Sequence, residues 1–516
     1  MRLPGNRKII ILVLITAVLS VVVTFVIIIS AMANRQNRQT ATVADLERSY
    51  ENVYITSCDN GEIRFISGGE EYIVQGQPEE KFVGVADIVT EKGQLKKIRI
   101  KEATIEGTVN SYTDEAVNIK EYGNVDCIKD FPIYNTAGKQ VKQQNSKMLI
   151  VGNSQLKFVL ENNKIAAAII DFEPKVDKVR VIIKNADSIF FDNVIVKYDK
   201  KTFNAQKYFK DKDTDKAVIE AKNGYLKIGK SKKSMREQGY LGKFIVSRYD
   251  KGYVVINELP IEEYLRFVIP SEMLISSEYE ALKAQAVCAR TFVYSQMKND
   301  TYAKYGANID DSTSFQVYNR IGSYDITDKA VFETAGEVIK YKGEYIYCYY
   351  FSTSDGRTRT LSVWGNDEKV GYIKSVKSED KSSPFYRWKA KLILDNIRDD
   401  KYGMLKSIEN GKVFTAHFEH GDRIIKTENE IRQFLGKALI EVKLSNGKTR
   451  KDLSALPSAY FKVVSNKDGI CYIEGGGFGH GIGMSQCGAN DLAKKGKDYR
   501  EIISYYYKDI TIEKTK

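Results

Sequence analysis

The sequence predicts an α+β protein with an N-terminal transmembrane helix, a small β domain, and then a mixed α+β domain of catalytic type. Three observations carry this expectation. Ile9 to Ala33 contains no charged residue, and short alternating runs broken by Gly, Asn and Asp turns fill Ile63 to Ile170 without a long helix. From about Lys175 onward, capped amphipathic helices are interleaved with strands. At 516 residues with 43% hydrophobic side chains, the chain is too long for one ordinary domain and has ample material for buried cores.

Taken in order, residues 1–8 form a short basic N-terminus with Arg2, Arg7 and Lys8. The apolar run 9–33 is long enough to cross a bilayer core of about 30 Å at about 1.5 Å per residue, and longer than the roughly 7–15 apolar residues of a secretory signal. It reads as an uncleaved anchor with a cytoplasmic N-terminus, making a single-pass membrane protein whose bulk is extracytoplasmic. Residues 34–50 are polar and form a stalk. The β-rich extracytoplasmic domain, 51–172, contains the runs EEYIV, FVGVADIV, KKIRI, AVNIK, KMLIV, KFVLE and IAAAII. It holds no histidine and no catalytic cluster, so it reads as a spacer or a binding module.

Residues 173–516 make the last domain. Its main helix opens at Ser277-Glu278-Tyr279-Glu280, an S-x-x-E capping box, with Leu282, Ala286, Ala289, Val293 and Met297 down one face and Lys283 and Arg290 on the other. Gly488 to Lys495 reads as a helix stopped by Gly496, and Asp498 caps a final helix through Tyr507. Gly224 to Ser231 matches the G-x-x-x-x-G-K-S phosphate-loop pattern, but YLKI alternates like a strand after a turn at Asn223-Gly224, so nucleotide binding is rejected.

The formal charge of +12 comes mostly from dispersed lysines, without the arginine blocks of a nucleic-acid reader; no nucleic-acid partner is expected, and any polyanion outside the membrane would be a wall polymer. The three histidines form no H-E-x-x-H and the six cysteines no C-x-x-C, so no metal and no cofactor are expected, and the scattered cysteines read as mostly buried free thiols. Two stretches look unlike scaffold. Glu272 follows Pro270 in a segment expected to be non-helical, where Phe267, Val268, Ile269 and Met273 would desolvate its carboxyl and suit it to general-acid work. In GGGFGHGIGMSQCGA, six glycines between 475 and 483 surround His480, a density that lets backbone approach a ligand or another segment closely.

LPIEEYLRFVIPSEM, EALKAQAVCARTFVYS, FQVYN, YYFSTSDGRT with VWG, LPSAYFKV and GGGFGHGIGMSQCGANDLAKKG resemble, in this order, the motifs of the stage II sporulation protein D family, which includes an amidase-enhancer branch. The resemblance spans roughly 175 to 512 and does not reach the N-terminal β region. It implies a peptidoglycan lytic transglycosylase that cleaves MurNAc-GlcNAc bonds of peptide-stripped glycan strands and leaves 1,6-anhydro ends. The essential glutamate of the family's P-S-E-M motif falls on Glu272. Substrate positioning or cleft support falls on Lys283, Gln285, Arg290, Gln316, Tyr318, Ser352, Ser354, Arg357, Thr358, His480, Ser485 and Gln486. Some relatives carry a Cys/His zinc set before Q-V-Y, but Asp310 to Phe315 offers neither residue type, and Asp355 stands where a small residue is often found. The implied partners are glycan strands, a wall amidase, sporulation membrane proteins, and the cell membrane through the N-terminal helix. A second reading is a non-catalytic wall-binding enhancer of an N-acetylmuramoyl-L-alanine amidase; a third is a scaffold that uses the β domain as its contact surface.

Overall fold

The computed structural model describes residues 47–78, 80–171, 176–222 and 224–515, which fall into two units, one ending at Pro174 and one formed by Ile150–Gly152 with Lys175–Lys516. In the first unit, five strands close into a barrel in the order Arg48–Asp59, Glu62–Ser67, Glu70–Gln75, Gln94–Ile100, Gly84–Glu91. Alternation along these strands sends Val53, Ile55, Ile63, Phe65, Val74, Ala86 and Ile88 inward as one core. A five-stranded sheet follows in the order Lys142–Asn145, Pro132–Asn135, Lys164–Ile170, Leu156–Glu161, Thr104–Gly107. Of the runs expected to be strands, KMLIV is the exception: Ser146–Met148 forms a 3-10 turn.

The second unit is built on a sheet ordered Lys216–Glu220, Lys243–Tyr249, Gly252–Pro260, Lys178–Ile182, Ile309–Asp310. Its helices are α1 (Ala205–Asp211), α2 (Ile261–Glu272), α3 (Tyr279–Gln296), α4 (Asp325–Glu333), α5 (Glu428–Gly436), α6 (Gln486–Lys494) and α7 (Tyr499–Tyr506). Helix α3 is the centre: α2, α4, α6, α7 and the strand Glu337–Tyr341 all pack on it. Most of its length is therefore buried, including Ala284, Val287 and Cys288 beside the expected apolar face. Its start differs from expectation, because the capping residue is Glu278 without a side-chain cap and the Ser277 box does not form. The α7 box, Asp498 with Glu501, forms as expected.

Between the Ser378 region and the glycine motif lies a subdomain that the sequence reading did not separate. Strands Thr449–Arg450, Leu439–Leu444, Trp388–Ile393, Ile470–Gly475 and Phe461–Lys467 make one sheet, and a four-stranded sheet and α5 close over a core of its own containing Leu392, Leu405, Leu435, Val442 and Ile473. Gly224–Ser231 is no phosphate loop: Lys227–Gly229 is a strand paired with Ile195–Lys197, and Asn223 of the expected turn lies outside the described residues.

The α+β expectation is corrected to a mostly β protein, with 42% strand and 19% helix. The strands are short and turn-rich, and those of the inserted subdomain carry no periodicity long enough to stand out in sequence. The transmembrane helix and the single-pass membrane location are also withdrawn: among the described residues no helix is long and apolar enough to cross a membrane. The run 9–33 itself lies outside the described residues.

Candidate active site

Helix α2 leads straight out of the strand Gly252–Pro260 and buries Tyr264, Leu265, Phe267, Val268 and Ile269. Pro270 sits inside its last turn, and Glu272 is its final residue, helical where an irregular segment was expected. Pro270 has no N–H to give the Arg266 carbonyl one turn back, and the helix stops two residues later. Burial pushes the Glu272 carboxyl from 4.5 up to about 7, against the lowering pull of the Val317 backbone N–H, Arg320 and the Tyr350 hydroxyl. The negative end of the α2 dipole acts in the same direction as burial. Val317 N–H donates to Glu272 Oε1 at 2.6 Å.

The Q-V-Y segment thus meets Glu272 through its backbone, while its two flanking side chains build the wall behind. Gln316 is fully buried; its Nε2 donates to the Ala289 carbonyl at 3.2 Å and to the Tyr350 hydroxyl at 3.1 Å, and its Oε1 accepts from the Tyr264 hydroxyl at 3.2 Å. Because the Tyr350 oxygen accepts from Gln316, its own proton is available for Glu272. The Tyr318 ring packs tilted against that of Tyr264, centroids 4.8 Å apart, and its hydroxyl donates to Asn257 Oδ1 at 2.7 Å. Tyr350 was absent from the sequence-predicted set. In YIYCYYF nothing distinguishes it from its three tyrosine neighbours, and only the pairing of Tyr350–Phe351 with Met484–Ser485 fixes which ring faces Glu272.

His480 supports that same strand. Its Nδ1 accepts the Ile482 N–H at 3.1 Å, so the ring proton is on Nε2, which donates to the Tyr350 carbonyl at 3.0 Å. Burial lowers its pKa to about 4, leaving it neutral at physiological pH and suited to positioning rather than proton transfer. The glycine motif wraps the strand from the other direction. A Cβ at Gly483, where φ is +76°, would lie 2.0 Å from the Tyr349 carbonyl, and one at Gly479 would lie 3.0 Å from the Phe351 Cβ. Of the two uses expected for these glycines, close approach to another chain segment is the one observed.

The Ser352–Thr358 turn is anchored by Asp380, which the sequence reading also missed. This fully buried carboxylate accepts from Ser378 Oγ, Ser485 Oγ and the Ser354 backbone N–H. Burial raises it to about 6, the largest influence, against those three donors. Its partners lie 26 and 105 residues away in sequence, so S-E-D at 378–380 reads only as a charged loop. Ser485 is also the N-cap of α6, accepting from Gly488 N–H at 3.3 Å. Ser354 and Thr358 are buried in the turn, where Thr358 Oγ1 accepts from Val376 N–H at 2.9 Å. The Ser352 carbonyl receives Cys487 N–H at 3.0 Å, and exposed Arg357 reaches Ser375.

The α3 residues lie elsewhere. Arg290 is fully buried and is held by Glu262 at 2.8 and 2.6 Å and by the Val331 and Glu337 carbonyls, an ion pair locking α3 to α2 and α4. Lys283 pairs with Glu280 at 2.6 Å and covers the Tyr499 ring at 4.9 Å. Gln285 and Gln486, both buried, meet each other at 3.5 Å. Among the described residues no group of three or more His, Cys, Asp or Glu side chains is placed to hold a metal ion.

A family profile described as Stage II sporulation protein matches residues 249–341, the stretch that supplies Glu272, α3 and the Q-V-Y segment. Over 275 residues the chain is 34% identical to Stage II sporulation protein D of Bacillus subtilis (strain 168), covering 50% of this chain and 75% of that protein. It is 31% identical over 282 residues to Stage II sporulation protein D of Bacillus amyloliquefaciens, covering 50% and 75% respectively. It is also 30% identical over 291 residues to a Bacillus subtilis (strain 168) protein named Amidase enhancer, covering 48% of this chain and 40% of that one. The chain therefore belongs to the stage II sporulation protein D family.

Proposed function

We propose that the chain acts in sporulation-linked cell-wall remodelling as a peptidoglycan lytic transglycosylase, cleaving MurNAc-GlcNAc bonds of peptide-stripped glycan strands. The observation that supports it is a single desolvated carboxyl: Glu272 is raised to about 7, and among the described residues the charge that acts on it is that of Arg320, with no second carboxylate. Glycoside hydrolysis uses two carboxylates, whereas a lyase can use one, because the muramic 6-hydroxyl attacks intramolecularly and no water needs activating. In this reading Glu272 protonates the glycosidic oxygen, then takes the 6-hydroxyl proton. A pKa near 7 serves both steps, since the group is populated in both protonation states. Tyr350 and the Val317 N–H hold it in place.

The test incubates purified protein with glycan strands stripped by an amidase and compares the products with those of Glu272→Gln by mass spectrometry. Anhydro ends that disappear in the variant support the lyase. Ends that have gained water would keep an enzyme and overturn the mechanism. The 30% identity to a protein named Amidase enhancer favours a second reading, a non-catalytic wall-binding partner of an amidase. Strand binding without cleavage, together with faster turnover by an added amidase, would establish that one instead.

A further inference from the structure

Asp355 organises a surface separate from Glu272. Both its carboxylate oxygens accept from Arg359 Nη2, at 2.8 and 2.7 Å, and its carbonyl accepts from Arg387 Nη1 at 2.9 Å. Each guanidinium also lies over a tyrosine ring, Arg359 at 4.2 Å from the Tyr460 centroid and Arg387 at 4.1 Å from that of Tyr386. Asp355, Arg359, Arg387 and Tyr460 line an open cleft of about 630 Å³ at the root of the inserted subdomain, with Gly475 and Gly476. A Cβ at Gly476 would lie 2.6 Å from the Tyr386 carbonyl and 2.9 Å from Arg387 Nη1, so only glycine leaves the arginine where it is.

The charges in this cleft do not cancel. Asp355 neutralises Arg359, and Lys462 pairs with Glu474 at 3.3 Å. Arg387 has no carboxylate partner among the described residues. Its Nη1 is fixed by two backbone carbonyls, Asp355 at 2.9 Å and Tyr386 at 2.7 Å, while its Nε and Nη2 make no hydrogen bond within the described chain. Arg387 is exposed, but the stacking and the two carbonyls reduce the rotamer freedom that ligand binding would otherwise cost, and its planar fork, with Nε and Nη2 unused, matches a carboxylate. The cleft is also mechanically tied to the site: the Tyr460 hydroxyl donates to the His480 carbonyl, and His480 Nε2 to that of Tyr350.

We propose that this cleft is a saccharide subsite for a carboxylate-bearing sugar, with Arg387 receiving the carboxylate. The proposal rests on the glycan-strand reading above and deepens it. On strands without stem peptides, the lactyl carboxylate of the muramyl sugar is the anion that each disaccharide repeats. A polymer held at Arg387 is fixed at a second point beyond the sugars at Glu272, and an uncharged polysaccharide is not retained there.

The experiment measures equilibrium binding of fluorescent amidase-stripped strands to the full chain carrying Glu272→Gln, so that nothing is consumed. Adding Arg387→Ala should weaken binding about tenfold or more, the loss typical of a hydrogen-bonded charge pair, and Arg387→Lys should recover only part of it. Strands whose carboxylates are methyl-esterified should bind the parent as weakly as native strands bind Arg387→Ala, and Arg387→Ala should not weaken them further. Unchanged binding in Arg387→Ala, an equal further loss on esterified strands, or failure to bind strands at all would overturn the proposal. So would an Arg387-dependent affinity for teichoic acid in place of glycan. Because the readout is binding, absence of anhydro ends from the parent protein would refute the lyase and leave this subsite standing.

Discussion

Glu272→Gln should make the protein more stable at alkaline pH while removing the proposed cleavage activity. The folded carboxyl titrates at about 7 against an ordinary 4.5, chiefly through burial. The folded value is the higher one, so the stability this group contributes is fully present below about pH 4.5 and is lost as pH rises to about 7. A rise from 4.5 to about 7 corresponds to about 3 kcal/mol, of which about 2.5 kcal/mol falls between pH 5 and pH 8.5. Gln still offers an oxygen to the Val317 N–H and carries no charge, so the comparison isolates the ionisation.

Thermal melts of both proteins at pH 5, 7 and 8.5 measure this directly. With an unfolding entropy of about 2.1 cal/mol/K per residue over the second unit of about 340 residues, the difference in Tm between variant and parent should widen by about 3–4 °C from pH 5 to 8.5. A difference that does not change with pH would refute the placement of an ionisable group in this dry site. It would also remove the argument that Glu272 is poised for acid work.

Cleavage by the parent should fall as pH rises through about 7, where the acid form of Glu272 is lost, and Tyr350→Phe should move that limb upward, because the tyrosine hydrogen bond holds the carboxyl down; a pH-rate profile of each checks both. The same variant should lose roughly tenfold in rate, the worth of one hydrogen bond to a charged group. Arg290→Ala should destabilise the fold by about 3 kcal/mol, because it empties a fully buried site and takes the donor from the Val331 and Glu337 carbonyls and the cation from the partly exposed Glu262, and so lower the yield of folded protein without raising KM in the fraction that folds. Asp380→Ala should cost about 3 kcal/mol or more by orphaning Ser378, Ser485 and the Ser354 N–H, measured as a drop in denaturation midpoint.

What the sequence made legible follows from the range of each interaction. The apolar stripe of α3 and the Asp498 box are local patterns, readable at three- and four-residue spacing, and both appear in the fold. The desolvation of Glu272 was legible because its apolar neighbours Phe267, Val268 and Ile269 are adjacent in the chain. Asp380 meets Ser354 and Ser485, 26 and 105 residues away, and Tyr350 meets Gln316 and His480, 34 and 130 residues away, and no local pattern encodes such meetings. Lys283 and Arg290 show the opposite failure: seven residues apart, they share a helix face, but α2, α4 and α7 cover that face and turn two expected cleft residues into structural cations. The mostly β character was hidden because most of the strands are short, many of them two to five residues, and carry too few alternations to register against turns.

How Glu272 acquires its high pKa bears on the chemistry. A carboxyl can be raised by a like-charged neighbour or by a dry environment, and only the first needs a second acid. Here Gln316, Tyr264 and Tyr350 satisfy one another and enclose the carboxyl without bringing in a charge, and His480 and the glycine motif hold the Tyr350 strand against it. A shift from burial is screened little by salt, and it does not change when another group titrates. That is the condition a one-carboxylate mechanism imposes, because the group that gives up a proton must be able to take one back in the same environment. Under the lyase reading proposed above, the buried polar network would be the part of the motif set that makes a lone glutamate sufficient, although only Glu272 itself would touch the reacting atoms.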